Sequence, residues 1–183
     1  MVNKMIVFMT HNGNESMESV NIAWRCRTRA PGLTLVRFCA KIPCMKPELE
    51  ALLNRLLEAE RAGHQLLDAL SQETADPHLK ALFANFTEVE VSDTEVLAGL
   101  IRLHGGTPSQ KTGDFADKVL RIDTLHDQIN LLARGQAWVA RKIEQALTLS
   151  PPLDIAAFLK EMANRHRHNM EWARAEAIKA FDE

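Results

Sequence analysis

Residues 83–108 read FANFTEVEVSDTEVLAGLIRLHGGTP, and this stretch decides the fold. Taken one turn further back, its residues fall in alternating steps of three and four: Leu79, Phe83, Phe86, Glu90, Asp93, Leu97, Leu100 and His104. Such steps stack side chains on one face of a helix, so this is a core seam. Two acids, Glu90 and Asp93, sit at its centre, where apolar residues belong. Gly105-Gly106 follows, with Pro108 beyond. Glycine just past a helix and proline further on form a strong stop signal.

Three more seams share this pattern. The first is Leu49, Leu53, Leu56, Glu60, Gly63, Leu67 and Leu70. The third is Ile122, Leu125, Ile129, Leu132, Gln136, Val139, Ile143 and Ala146, and the fourth is Ile155, Leu159, Met162, His166, Asn169 and Ala173. Every seam is interrupted near its middle by residues able to bind a metal or make strong hydrogen bonds. Glu60 and Gln136 stand singly; Glu90/Asp93 and His166/Asn169 are pairs at i, i+3. Four seams of period 3.6 predict an all-α protein.

With 183 residues, 46% hydrophobic and 25% charged, the chain suits one domain with a full core. Lys plus Arg is 22 against 24 for Asp plus Glu, a formal charge of -2. That balance gives no support to nucleic-acid binding by bulk electrostatics. No apolar run approaches the roughly 18 residues of a membrane span. The expectation is a cytoplasmic protein without nucleic-acid or membrane partners.

Composition changes near Met45. Cys26, Cys39 and Cys44 all precede it, and Lys4, Arg25, Arg27, Arg29, Arg37 and Lys41 face only Glu15 and Glu18 there. Three readings of residues 1–44 compete: an irregular ordered extension with a strand from Met5 to Met9, a targeting segment, or sequence upstream of a true start at Met45. The last is preferred, because a compact domain, residues 45–183, begins at once. The odd number of cysteines lacks C-x-x-C spacing and argues against a closed disulfide framework.

Helix one is expected from Pro47 to about Leu70, with Glu48 and Glu50 at the positive end of its dipole. Ser71 to Pro77 is a short link, which favours antiparallel neighbours. Helix two ends near His104. The next connection, Gly105 to about Asp117, is long. A dozen extended residues reach about 40 Å, enough to run the length of a 25-residue helix, about 37 Å. Helix three is placed from Phe115 or Lys118 to Leu147, and helix four from near Asp154 to about Ala180. Two antiparallel helical hairpins joined by a long crossover make the ferritin-like four-helix bundle; a loop that folds back would give an up-and-down bundle instead.

The layout resembles the ferritin-like superfamily in its rubrerythrin-like branch. Those proteins build a two-metal site from one Glu on each of two helices and a Glu-x-x-His pair on each of the others. The end of helix two, Leu97 to Pro108, looks like that of small ferritin-like bacterial proteins. Ala133 to Val139, with Gly135-Gln136 at its centre, resembles an uncharacterised bacterial ferritin-like family. On this resemblance the metal-site positions are Glu60, Glu90, Asp93, Gln136, His166 and Asn169. The chemistry departs from the pattern: Asp93 stands where His is expected, Gln136 and His166 where Glu is, and Asn169 where a second His is. Neutral amides bridge metals poorly, so a di-iron centre is not expected.

Two classes of function stay open. In the first, the site is a degenerate one, a metal-free polar network with His166 protonated between Glu60 and Glu90 and no cofactor. In the second, one divalent metal, iron or manganese, is held by Glu60, Glu90 and His166 with or without Asp93, in a protein handling oxygen, peroxide or a small organic substrate. His64 is a weaker candidate one turn after Glu60. His104 is expected to cap the carbonyls ending helix two or to favour the negative end of its dipole, and Arg165, Arg167 and His168 to be exposed. Trp138 and Trp172 are placed at seam edges or in an oligomer interface, which keeps a homodimer among the readings. No phosphate-binding glycine loop or nucleophilic triad stands out.

Overall fold

The computed structural model describes residues 45–179. The expectations for residues 1–44 lie outside the described residues. Five helices follow one another: α1 (Pro47–Glu73), α2 (Pro77–Leu103), α3 (Phe115–Leu120), α4 (Leu125–Thr148) and α5 (Leu153–Lys179). No strand occurs among the described residues.

Local chemistry sets the helix ends. Pro47 opens α1, with Glu48 and Glu50 in its first turn. The Asp76 carboxylate accepts from the backbone N–H groups of His78 and Leu79 and starts α2. At the other end of α2, Gly105 is left-handed at φ 79. The Gly105 N–H reaches the Arg102 carbonyl and the Gly106 N–H reaches the Ile101 carbonyl. This double closure needs a residue free of a Cβ at Gly105.

The crossover then runs along α1 as a strap. Thr107 N–H donates to Glu50 at 2.8 Å, Ser109 N–H to Asn54 at 2.6 Å, and Gly113 N–H to the Glu58 carbonyl at 3.0 Å. Arg61 donates to the carbonyls of Ser109 and Lys111. The polar face of α1 thus satisfies the backbone of a segment with no partner of its own.

The third helix differs from expectation. It is split: α3 sits on the crossover, and residues 121–124 break the chain before α4. The reason is a cap. Thr124 accepts from the Asp127 N–H at 3.1 Å and donates its hydroxyl to the Asp127 carboxylate at 2.8 Å. Ile122, placed in the seam by periodicity, lies in the break, and its carbonyl accepts from Gln128.

Lys46 at the start of α1 donates to the Leu149 carbonyl past the end of α4, and His104 at the end of α2 meets Asp154 at the start of α5. So α1 runs antiparallel to α4, and α2 to α5, as the crossover demands. This is the ferritin-like bundle. His104 is the C-cap residue of α2, its backbone N–H on the Leu100 carbonyl, while its side chain ties the two hairpins at 2.8 Å.

The core has two apolar lobes. One gathers Leu49, Leu53, Leu56, Leu97, Ile101, Ile143, Ile155 and Leu159 at the Met45 end. The other gathers Leu66, Leu67, Leu70, Phe83, Val119, Ile129 and Leu132 at the far end. Trp172 stands edge-on to Phe83 and Phe86 beside the second lobe. A polar layer separates the lobes. Among the described residues, no helix is long and apolar enough to cross a membrane.

Candidate metal centre

All six residues singled out from the seams are buried: Glu60, Glu90, Asp93, Gln136, His166 and Asn169. Helical periodicity alone brings each one inward, and the two hairpins set them at one level. Glu60 and His166, 1% and 2% exposed, sit deepest with Glu90.

A chain of hydrogen bonds crosses the layer. His166 Nε2 lies 3.2 Å from Glu60 Oε1, and His166 Nδ1 lies 2.5 Å from Gln136 Oε1. Gln136 Nε2 donates to Glu90 Oε1 at 3.0 Å. Because the Gln136 N–H faces Glu90, its oxygen faces His166. That pattern assigns the Nδ1 proton to the imidazole and turns Nε2 toward Glu60. His166 therefore does not lie between Glu60 and Glu90; it reaches Glu90 only through Gln136.

Asp93 has its own partner. Arg165 Nη2 donates to Asp93 Oδ1 at 2.6 Å and Arg165 Nε to Oδ2 at 3.2 Å, a two-pronged contact. Arg165 is thus half-buried rather than exposed, with its guanidinium 5.8 Å from the Phe158 ring centroid. Arg167 and His168 are exposed as expected. Asn169 is buried on α5 but contributes no hydrogen bond to the chain. His64 is half-buried and is not one of the three grouped donors, its Nδ1 without a hydrogen bond.

Two carboxylate oxygens of this layer are orphaned. Glu60 Oε2 and Glu90 Oε2 are buried without a hydrogen-bond partner. Such atoms are costly unless a proton, a cation or water meets them. Burial, then the charge of Glu60, pushes the Glu90 carboxyl well above the usual carboxylate range, against the pull of the Gln136 hydrogen bond. Burial also raises Asp93, opposed chiefly by its hydrogen bond and ion pair with Arg165.

One ligand atom each from Glu60, Asp93 and His166 lies within 4.8 Å of the other two. This group, from α1, α2 and α5, could hold one metal ion. It contains Asp93, whereas Glu90 is turned to Gln136. The donor chemistry fits one divalent cation and not two. Only Glu60 and Asp93 bring carboxylates to the donor group, the raised Glu90 carboxyl stands outside it, and Gln136 and Asn169 add no charge.

Gly63 makes the layer possible. A Cβ there would lie 2.0 Å from Glu90 Oε2, so the carboxylate occupies the space of the missing side chain. The sequence shows Gly63 on the seam, one turn from Glu60, but its role depends on a neighbouring helix and is invisible in one.

The profile of a family described as "Domain of unknown function (DUF6306)" matches residues 47–176. A comparison with curated proteins finds no match. Among solved structures, the chain is similar to one described as "ferritin like, diiron-carboxylate proteins" from Bacillus anthracis str. Ames. That match has 18% identity and a TM-score of 0.64, covering 73% of this chain and 99% of the other. A conserved hypothetical protein from Mycobacterium tuberculosis matches at 13% identity and a TM-score of 0.60, covering 72% and 98%. At these identities the likeness is one of fold.

Proposed function

Since the chain belongs to the DUF6306 family, a domain of unknown function, we propose that it is a ferritin-like protein that binds a single divalent metal ion through Glu60, Asp93 and His166. The observation that carries this reading is the convergence of those three donors within 4.8 Å while the other imidazole nitrogen is tied to Gln136. A metal-ligating histidine ordinarily donates its second N–H to an outer acceptor, which sets the tautomer and aims the ring. Gln136 has that place. It is an orienting group rather than a weakened ligand.

Two carboxylates and an imidazole suit iron(II) or manganese(II), and such a centre supplies Lewis-acid or one-electron chemistry to a small molecule beside it. The rest follows from the chain's own groups. Arg165 holds Asp93 in place and offsets part of its charge. Glu90 is displaced from the donor group and holds its proton more tightly than an ordinary carboxyl.

A second reading, the metal-free degenerate network, is favoured by the unbroken chain Glu60–His166–Gln136–Glu90. The orphaned Oε2 atom of Glu60, a member of the donor group, speaks for the metal instead. Elemental analysis of untagged protein loaded anaerobically with ferrous iron decides between them. About one ion per chain is expected. No ion retained at saturation supports the network, and two per chain would falsify both readings.

A further inference from the structure

The walls between α1 and α4 do not close over the polar layer. They leave an open cleft of about 640 Å³ whose floor includes Glu60, Glu90, Gln136 and His166. Ala59, Ala62 and Gly63 line it from α1, and Gly135 from α4. At Gly135 a Cβ would lie 2.5 Å from the Phe115 ring, so α3 stops one end of the cleft against bare backbone. The volume is that of a small-molecule site, roughly 300–1,000 Å³.

The mouth is strongly cationic. Arg55, Lys118, Arg134, Arg141 and Lys142 all line it. Lys118 is taken by Asp114 at 2.8 Å, and Lys142 lies over the Trp138 ring and donates to Gln145. The one other acid at the mouth, Glu58, accepts from the Ser109 hydroxyl. Arg55, Arg134 and Arg141 have no ion-pair or hydrogen-bond partner among the described residues. Arg134, Trp138 and Arg141 recur at helical spacing along the cleft side of α4.

We propose that this cleft takes a small organic anion with a short apolar body, its acidic group held by Arg134 and Arg141. Unpaired guanidinium forks recognise carboxylate and phosphate oxygens in the same way. The body lies along Ala59, Ala62, Leu131 and Val139, and its far end meets the polar floor. The inference rests on the metal reading in one respect: a divalent ion cancels the negative charge of the floor and leaves the cationic mouth to set the field.

Calorimetric titration of manganese-loaded protein with hexanoate, hexyl phosphate, hexanol and hexylamine tests it. At least one anion binds, and the alcohol and amine bind at least tenfold more weakly. Hexanoate above hexyl phosphate identifies a carboxylate site, and the reverse a phosphate site. The double variant Arg134→Ala/Arg141→Ala loses at least tenfold in anion affinity and keeps its manganese. Equal binding of hexylamine, no binding of either anion, or unchanged affinity in the variant overturns the proposal. Anion binding that depends on the arginines in a protein retaining no manganese supports the cleft and sinks the metal reading.

Discussion

The two hairpins meet in the middle of the bundle with opposite chemistry. The first, α1 and α2, brings only acids to the layer: Glu60, Glu90 and Asp93. The second, α4 and α5, brings Gln136, Arg165, His166 and Asn169 and no acid. Each acid of the first has a partner in the second: Glu60 with His166 at 3.2 Å, Glu90 with Gln136 at 3.0 Å, and Asp93 with Arg165 at 2.6 Å. A ferritin-like two-metal site draws carboxylates from both halves. Here one hairpin supplies charge and the other orients and compensates it. The division explains how three buried carboxylates are tolerated, and it is the ground for proposing one cation rather than two.

The largest break in this division is His166→Ala. It removes a donor of the proposed site and leaves Glu60 and Gln136 facing a void. Metal retention is expected to fall from one per chain to near zero. The metal-free variant is expected to lose about 3–5 kcal/mol in denaturant unfolding, as when a partner is stripped from a buried pair. Full metal retention, or a loss below about 1 kcal/mol, would remove His166 from the centre of the account.

Gln136→Leu sharpens the comparison, because it deletes an orienting group and leaves Glu60, Asp93 and His166 in place. Metal affinity is expected to drop about 10–100-fold, the usual effect of losing an outer partner. Stability should fall by about 1–3 kcal/mol, since Glu90 Oε1 loses its donor. If metal binding disappears as completely as in His166→Ala, Gln136 is a ligand and the division of labour is wrong.

Much of this layer is legible in the sequence. Every position of the first and fourth seams is buried, and all six polar interruptions reach the interior. Periodicity reports a face and nothing finer. It places Arg165 outside because its Cα is one position off the seam, yet a long side chain can reach inward from the edge. The signal for the break before α4, Thr124 three residues ahead of Asp127, is present but is masked by an apolar pattern running through Ile122. The cleft has no linear signature. Its lining is drawn from residues of α1 and α4 that are far apart in the chain.

Two glycines of the first hairpin compare a site position with a bare one. Gly99→Ala meets nothing within 4 Å and is expected to stabilise α2 by about 0.5–1 kcal/mol. Gly63→Ala meets the Glu90 carboxylate, so it should show no such gain and should break the hydrogen bond between Glu90 and Gln136. Equal stabilisation by both would mean that Glu90 does not occupy the Gly63 space.

A smaller effect is the pH dependence of the metal-free protein. The unfolded chain releases the Glu90 proton near the ordinary value of 4.5, whereas the folded chain holds it to higher pH. The unfolded state therefore binds fewer protons in that window, and this group's contribution to stability falls as pH rises above 4.5. Glu90→Gln is expected to flatten that part of the profile. A profile identical to wild type would show that Glu90 ionises normally in the fold.

The most direct test is anomalous diffraction from a crystal of the manganese-loaded protein. One peak per chain is expected, bounded by Glu60, Asp93 and the Nε2 atom of His166, with Gln136 still hydrogen-bonded to Nδ1. Two peaks, a peak ligated by Gln136, or no peak in this layer from fully loaded crystals would contradict it.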